Sequence, residues 1–175
     1  MGALDGILVA DFSRVLAGPQ AAMTLGDFGA NVVKVESPAG DETRDWKPPV
    51  DDRGRATYFL TVNRNKHSVA LDLKDPEDLK LAAELARRAD VLIENFRPGT
   101  MERFGLDFEA VRKDNPGIVY CSITGFGRGE GAALPGYDPL VQALSGLMSV
   151  TGPPDGEASK VGVALLDVIA GLNAS

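Results

Sequence analysis

The sequence predicts an α/β fold, Rossmann-like, with a mostly parallel sheet and flanking helices. Three observations predict it. Short apolar runs alternate with amphipathic segments along the whole chain. The amphipathic segments carry start and stop residues in the expected places. The first two apolar runs are joined by one short helical segment, the β-α-β arrangement that makes neighbouring strands parallel.

The elements follow in order. Ile7-Leu8-Val9-Ala10, ending at Asp11, reads as a buried strand. An Ala/Met/Leu-rich helix follows, with Pro19 at its first position and Gly29 as its stop. Asn31 to Glu36 is the second strand, and residues 37–60, rich in Pro, Gly and charge, read as a long loop. Ser68 to Leu73 alternates as a strand should. Asp75 then caps a helix with Pro76 at its first position and Leu79, Ala82, Ala83 and Ala86 as its apolar stripe. Asp90 to Glu94 is the next strand. Thr100 to Phe104 is a short helix closed by Gly105, and Asp107 caps another that ends before Pro116. Gly117 to Ile123 is a further strand. The glycines from Gly125 to Gly131 mark a flexible loop, and Asp138 to Val150 reads as one helix with Leu140, Ala143, Leu144 and Leu147 on one face. Val161 to Leu172 is apolar with one charge, Asp167, and Gly171-Leu172 looks like the interior of a helix, so a truncated polypeptide is expected.

Composition excludes several classes. A chain of 175 residues suffices for one domain with a sizeable core. The net charge of −7 argues against nucleic acid, which needs a basic face. No apolar run approaches the ~20 residues that span a bilayer. The first residues lack the basic and apolar regions of a secretory signal. A single cysteine, Cys121, fits a reducing cytoplasm, and one cysteine with one histidine makes a metal site unexpected.

Several segments are candidates for chemistry. Gly125-Phe126-Gly127-Arg128-Gly129-Glu130-Gly131 follows a strand, but Glu130 occupies the sixth place of the dinucleotide pattern, so a mobile loop is the favoured reading. Glu94-Asn95-Phe96-Arg97-Pro98-Gly99 stands where open α/β sheets bind ligands, and offers an amide, a stacking face and a fixed charge. Asn63-Arg64-Asn65-Lys66-His67 is a basic patch, a solvated surface by default and a phosphate site as the sharper reading. His67 lacks a partner carboxylate in sequence and makes a poor base. Trp46 reads as a loop anchor. Asp167 is the most informative residue: a lone carboxylate in an apolar run is costly unless hydrogen-bonded. By local frequency it is a helix N-cap; a nucleophile at a helix start is the alternative.

Read together, these blocks resemble the class III coenzyme A-transferase family, whose members are similar to formyl-CoA transferase and carnitine CoA-transferase. The resemblance runs through Leu4-Asp5-Gly6, Asp11-Phe12-Ser13, Ala17-Gly18-Pro19 and the stretch from Gly29 to Glu36. It continues through Asn65-Lys66, Leu71-Asp72, Glu94 to Gly99, Gly136-Tyr137-Asp138, Gln142 to Gly152, and Asp167 before Ala170-Gly171, and so covers essentially the whole chain. It implies an acyl-CoA:carboxylate CoA-transferase in which Asp167 attacks the thioester, passing through an aspartyl anhydride and an aspartyl-CoA thioester, with the helix start keeping Asp167 ionised. By the same resemblance coenzyme A falls on Val15, Leu16, Ala17, Leu71, Lys74, Asn95, Phe96, Arg97 and Arg103, with Tyr137 at the site. Ser37 stands where members often carry an arginine for the base. Acyl-CoA and a small carboxylic acid are the implied substrates, with no tightly bound cofactor.

A second branch resembles alpha-methylacyl-CoA racemase, which carries histidine where this chain has Tyr137. A phenol, with an ordinary pKa of about 10, suits proton removal from carbon poorly, which favours transferase over racemase. Family chains are about twice this long. The resemblance therefore implies that residues 1–175 are an N-terminal CoA-binding domain without the smaller second domain, and that the full protein is an interlocked homodimer. An inactive CoA-binding fragment is the remaining alternative.

Overall fold

The computed structural model describes residues 2–175. Its centre is one five-stranded, all-parallel sheet in the order β3-β2-β1-β4-β5. The strands are β1 (Leu8–Asp11), β2 (Asn31–Glu36), β3 (Lys66–Ala70), β4 (Val91–Glu94) and β5 (Val119–Ser122). The helices are α1 (Ala17–Asp27), α2 (Thr57–Val62), α3 (Pro76–Arg88), α4 (Thr100–Phe104), α5 (Phe108–Asp114), α6 (Asp138–Leu144) and α7 (Leu165–Asn173). The chain leaves β1 toward β2 on one side and comes back to β4 on the other, so the order reverses at β1. That reversal opens a crevice beyond the carboxyl ends of β1 and β4.

Two apolar layers hold the sheet. One joins Ala10, Phe12, Leu92, Ala82, Ala86, Met101, Leu106 and Val111; the other joins Val9, Ala21, Ala22, Val32 and Ile93. Alternate residues of β1 thus point to opposite faces, as the pleat requires. Asp75 caps α3 as expected, accepting from the backbone N–H of Glu77 and Asp78, and Asp107 caps α5 by accepting from Glu109. Among the described residues no helix is long and apolar enough to cross a membrane.

The structure corrects several boundaries. Helix α1 begins at Ala17, so Pro19 is its third residue; the first four N–H groups of a helix lack internal partners, so proline is tolerated there as well. Strand β3 runs from Lys66 to Ala70 because its register pairs Val32 with Lys66 and Glu36 with Ala70; Leu71 still donates to Glu36 O at 2.8 Å before the chain turns away. Residues 37–60 are not all loop, since a 3-10 turn spans Glu42–Asp45 and α2 begins at Thr57. Ala83 of α3 is exposed, and Leu85 packs against the core in its stead. The helix expected over 138–150 stops at Leu144. Gly146 takes the left-handed conformation (φ 83°), which favours glycine, and a separate 3-10 turn follows over Leu147–Val150. Its buried face is Asp138 and Gln142, while Ala143 and Leu144 are exposed.

The 37–45 segment is bound to the sheet by charge. Glu36 receives two hydrogen bonds from Arg44, at 2.8 and 2.6 Å, one from Ser68 Oγ at 2.6 Å and one from the Asp41 backbone at 2.8 Å. Burial works to raise the Glu36 carboxyl, but these donors outweigh it and hold it at about 2. A depressed carboxylate contributes stability that is complete above its unfolded pKa and is lost as the pH falls toward about 2. Arg44→Ala removes the strongest donors, so acid unfolding followed by circular dichroism is expected to begin at higher pH in the variant. Trp46 stacks at a tilt on Tyr58 of α2, with ring centroids 5.0 Å apart, consistent with its reading as a loop anchor.

Candidate active site

A cleft of about 340 Å³ opens in the crevice beyond β1 and β4. One wall is the β1–α1 loop, with Arg14, Val15, Leu16 and Ala17. A second is the β4–α4 loop, with Asn95, Phe96, Arg97 and Pro98. The segment after β5 supplies Ile123 to Gly127, and Tyr137, Leu166, Asp167 and Ala170 close the far side.

The β1–α1 loop is held almost entirely by side chains. Asp11 accepts from the Ser13 backbone at 2.9 Å and from the Ser13 hydroxyl. Lys34 Nζ donates to Ser13 O at 2.8 Å and pairs with Asp41 at 3.0 Å. Asn95 clips Arg14 from both sides: its Oδ1 accepts from Arg14 N at 2.8 Å and its Nδ2 donates to Arg14 O at 2.7 Å. Lys66 Nζ reaches Asp11 Oδ2 and Pro19 O, each at 2.8 Å, and Asn63 Oδ1 at 3.0 Å. Burial lowers the Lys66 ammonium to about 8 against the opposing pull of Asp11, so it remains mostly charged at neutral pH. Within this frame Val15 adopts φ 69°, a conformation that a β-branched residue takes only when its surroundings impose it. The strained residue lies on the cleft wall, where backbone strain tends to mark ligand sites.

Asp167 is half-buried in the first turn of α7 and lines the cleft. It is not the N-cap. The cap position is Ala164, and the first-turn N–H groups are taken by a residue 28 positions upstream: Asp138 Oδ1 accepts from Leu166 N at 2.8 Å and from Asp167 N at 3.4 Å. The helix start was expected to keep Asp167 ionised; other influences act against it. Burial, and then the neighbouring Asp138 charge, raise its carboxyl to about 6. It is therefore mostly ionised at neutral pH, but less firmly than a free carboxylate. Helix α7 seats on α1 through Gly171, where a Cβ would come within 2.8 Å of Ala17 O. This contact brings Asp167 over the β1–α1 loop.

The cleft gathers eight of the expected residues: Val15, Leu16, Ala17, Asn95, Phe96, Arg97, Tyr137 and Asp167. Three lie outside it. Leu71 is buried in the core cluster against which Phe96 packs; Lys74 is exposed in the turn before α3; Arg103 is exposed on α4, with its guanidinium 3.3 Å from Thr100 Oγ1. The basic patch dissolves into separate roles: Lys66 is buried, Arg64 pairs with Asp27, and His67 is exposed on β3. Arg14 was not singled out from the sequence, yet it lines the cleft with its guanidinium 4.9 Å from the centre of the Phe96 ring. Its position one residue before Val15, after a strand end, was the available signal.

Fold and site together define a parallel α/β domain with basic loops and one half-buried carboxylate at the sheet mouth. CoA-transferase family III matches residues 4–175, and the chain belongs to this family. It is 49% identical over 174 residues to succinyl-CoA:glutarate CoA-transferase of Mus musculus, covering 98% of this chain and 40% of that protein. It is 46% identical to acetyl-CoA:oxalate CoA-transferase of Acetobacter aceti, covering 97% and 44%. The crystal structure of a CAIB/BAIF family protein from Brucella suis superposes with a TM-score of 0.94 at 46% identity, over 99% of this chain and 47% of that one. The chain thus spans less than half the length of the relatives it matches.

Proposed function

We propose that this chain is the CoA-binding domain of an acyl-CoA:carboxylate CoA-transferase with Asp167 as nucleophile. The observation that carries the reading is that half-buried Asp167 lines the cleft together with Asn95, Phe96 and Arg97. An Asp167 oxygen attacks the thioester carbonyl, the C–S bond breaks and CoA leaves as thiolate, giving a mixed anhydride. The thiolate attacks the aspartyl carbonyl and expels the donor acid. The acceptor carboxylate then attacks the aspartyl-CoA thioester, and the same thiolate resolves the second anhydride, returning the free Asp167 carboxylate. No electrons are gained or lost, and no proton need move.

In this reading Arg14 and Arg97 meet negative charge in the cleft, and Lys74 and Arg103 take phosphates of the long coenzyme beyond it. Relatives named for succinyl-CoA, glutarate and oxalate support small dicarboxylates as donor and acceptor. The exposure of Leu144, Val150, Val163 and Leu172 supports a second domain and an interlocked homodimer, with this C-terminal stretch packed on further protein. The cytoplasm is the compartment we assign. The racemase reading is disfavoured because the only histidine, His67, lies exposed on β3 and does not line the cleft.

Incubation with succinyl-CoA followed by hydroxylamine should leave a hydroxamate on Asp167, read by peptide mass spectrometry. An enzyme that exchanges CoA with Asp167 unlabelled would overturn the mechanism. A chain that binds CoA without exchange would be the inactive fragment.

A further inference from the structure

Asp138 is buried, with 6% of its surface exposed, and among the described residues no cation pairs with it. All its hydrogen bonds come from neutral donors: Leu166 N, Asp167 N and Gln142 Nε2, the last at 2.5 Å. Gln142, one turn on and fully buried, continues the contact. Its Oε1 accepts from Val161 N at 2.8 Å and its Nε2 lies 3.3 Å from Val163 O. One face of α6 therefore grips the segment that leads into α7 and the first turn of α7 itself.

Capping alone does not require a charge. Asparagine or serine serves as well, and a buried carboxylate without a cation carries a desolvation cost that a neutral cap avoids. What the charged residue adds is a second negative group beside Asp167. We propose that Asp138 is a positioning residue for the transfer reaction: it anchors the first turn of α7 and so fixes where the Asp167 carboxylate stands. The same contact sets a negative charge beside Asp167, which after burial is the second cause that raises its carboxyl. The inference rests on the reading of Asp167 as nucleophile. A more basic carboxylate is a stronger nucleophile, and it remains mostly ionised at neutral pH.

The titratable groups that bear on this effect are few. Asp138 faces Asp167 from α6. Tyr58 faces both from α2, its own hydroxyl pushed up to about 12 by burial and by the charges of Asp167, Asp138 and Asp41. Arg14, Glu42, Arg97 and the phenol of Tyr137 share the cleft, and α7 carries no other charge. Asp138 is the one charge that shifts Asp167 appreciably, after burial.

The test is a carboxyl-carbon NMR titration of Asp167 in the 175-residue chain, with amide hydrogen exchange at Leu166. In the unmodified chain the Asp167 midpoint is expected near 6. Asp138→Asn keeps an oxygen for the Leu166 N–H and removes the charge: the midpoint falls while Leu166 protection is largely retained. Asp138→Ala removes both: the midpoint falls and Leu166 exchanges roughly fivefold faster, the effect of losing a typical cap. An unchanged midpoint in Asp138→Asn overturns the proposal, as does an ordinary carboxylate midpoint in the unmodified chain, which needs no variant. Failure of hydroxylamine to label Asp167 would remove the transferase reading and leave these titrations standing.

Discussion

Asp167→Ala is expected to lower CoA exchange by at least about 10⁴-fold, the scale on which loss of a covalent nucleophile falls. No other carboxylate replaces it in the first turn of α7. The unsubstituted enzyme should show a matching pH dependence. With the Asp167 carboxyl at about 6, the rate of the acylation step falls below that pH by about one decade per unit, as the nucleophile is protonated. The sign for stability is the reverse of the usual carboxylate. Its folded-state pKa lies above the unfolded value, so the native state holds the proton more tightly and stability declines as pH rises from about 4 to about 6. At neutral pH the ionised Asp167 therefore costs on the order of 1–2 kcal/mol after allowance for solvent. Asp167→Asn should abolish exchange and raise the melting temperature at pH 7, with the difference vanishing near pH 4. Retained activity in either variant would refute the role; an unchanged or lowered melting temperature would refute the electrostatic account.

Lys66→Met is expected to be the most destabilising single change in the β1–α1 region. The thioether fills much of the space of the lysine stem, so lost volume contributes little. What remains is the Asp11 carboxylate, fully buried, with Ser13 alone to donate to it, and Pro19 O without its donor. Breaking a buried pair from one side costs about 3–5 kcal/mol. For a domain of this size that is a fall on the order of 10 °C in melting temperature. The double variant Asp11→Asn with Lys66→Met removes both charges and should recover part of the loss. A double variant no more stable than the single would show that the stranded charge is not the cause. The loop carrying Val15, Leu16 and Ala17 hangs on these bonds, so CoA binding by Lys66→Met should weaken even well below its melting temperature.

Much of this was legible in the sequence because its causes are local. The strands are short apolar runs, α3 and α5 are announced by Asp75 and Asp107, and Gly105 closes α4. Motif order along the chain identified the β4–α4 loop and Asp167, and both reached the cleft. The misreadings share one character. Leu140, Ala143 and Leu144 look like a core stripe, but α6 turns its polar Asp138–Gln142 face inward because the approach to α7 needs hydrogen-bond partners there. Lys66 looks like surface charge because lysine usually is; it is buried because Asp11, 55 residues away, stands beside it.

The alternation of elements, the parallel sheet and the choice of Asp167 as the candidate carboxylate were thus legible in the sequence itself, through hydrophobic period, cap chemistry and the order of motifs. Only the tertiary structure decided what surrounds Asp167: that a residue 28 or more positions away caps its helix, that Asp138 and burial together raise its carboxyl, and that α7 rests on α1 above the β1–α1 loop. The reason is physical. Strand and helix preferences act over a few residues, whereas desolvation, buried ion pairing and the field of a neighbouring charge depend on distances in space, which exist only once the chain has folded.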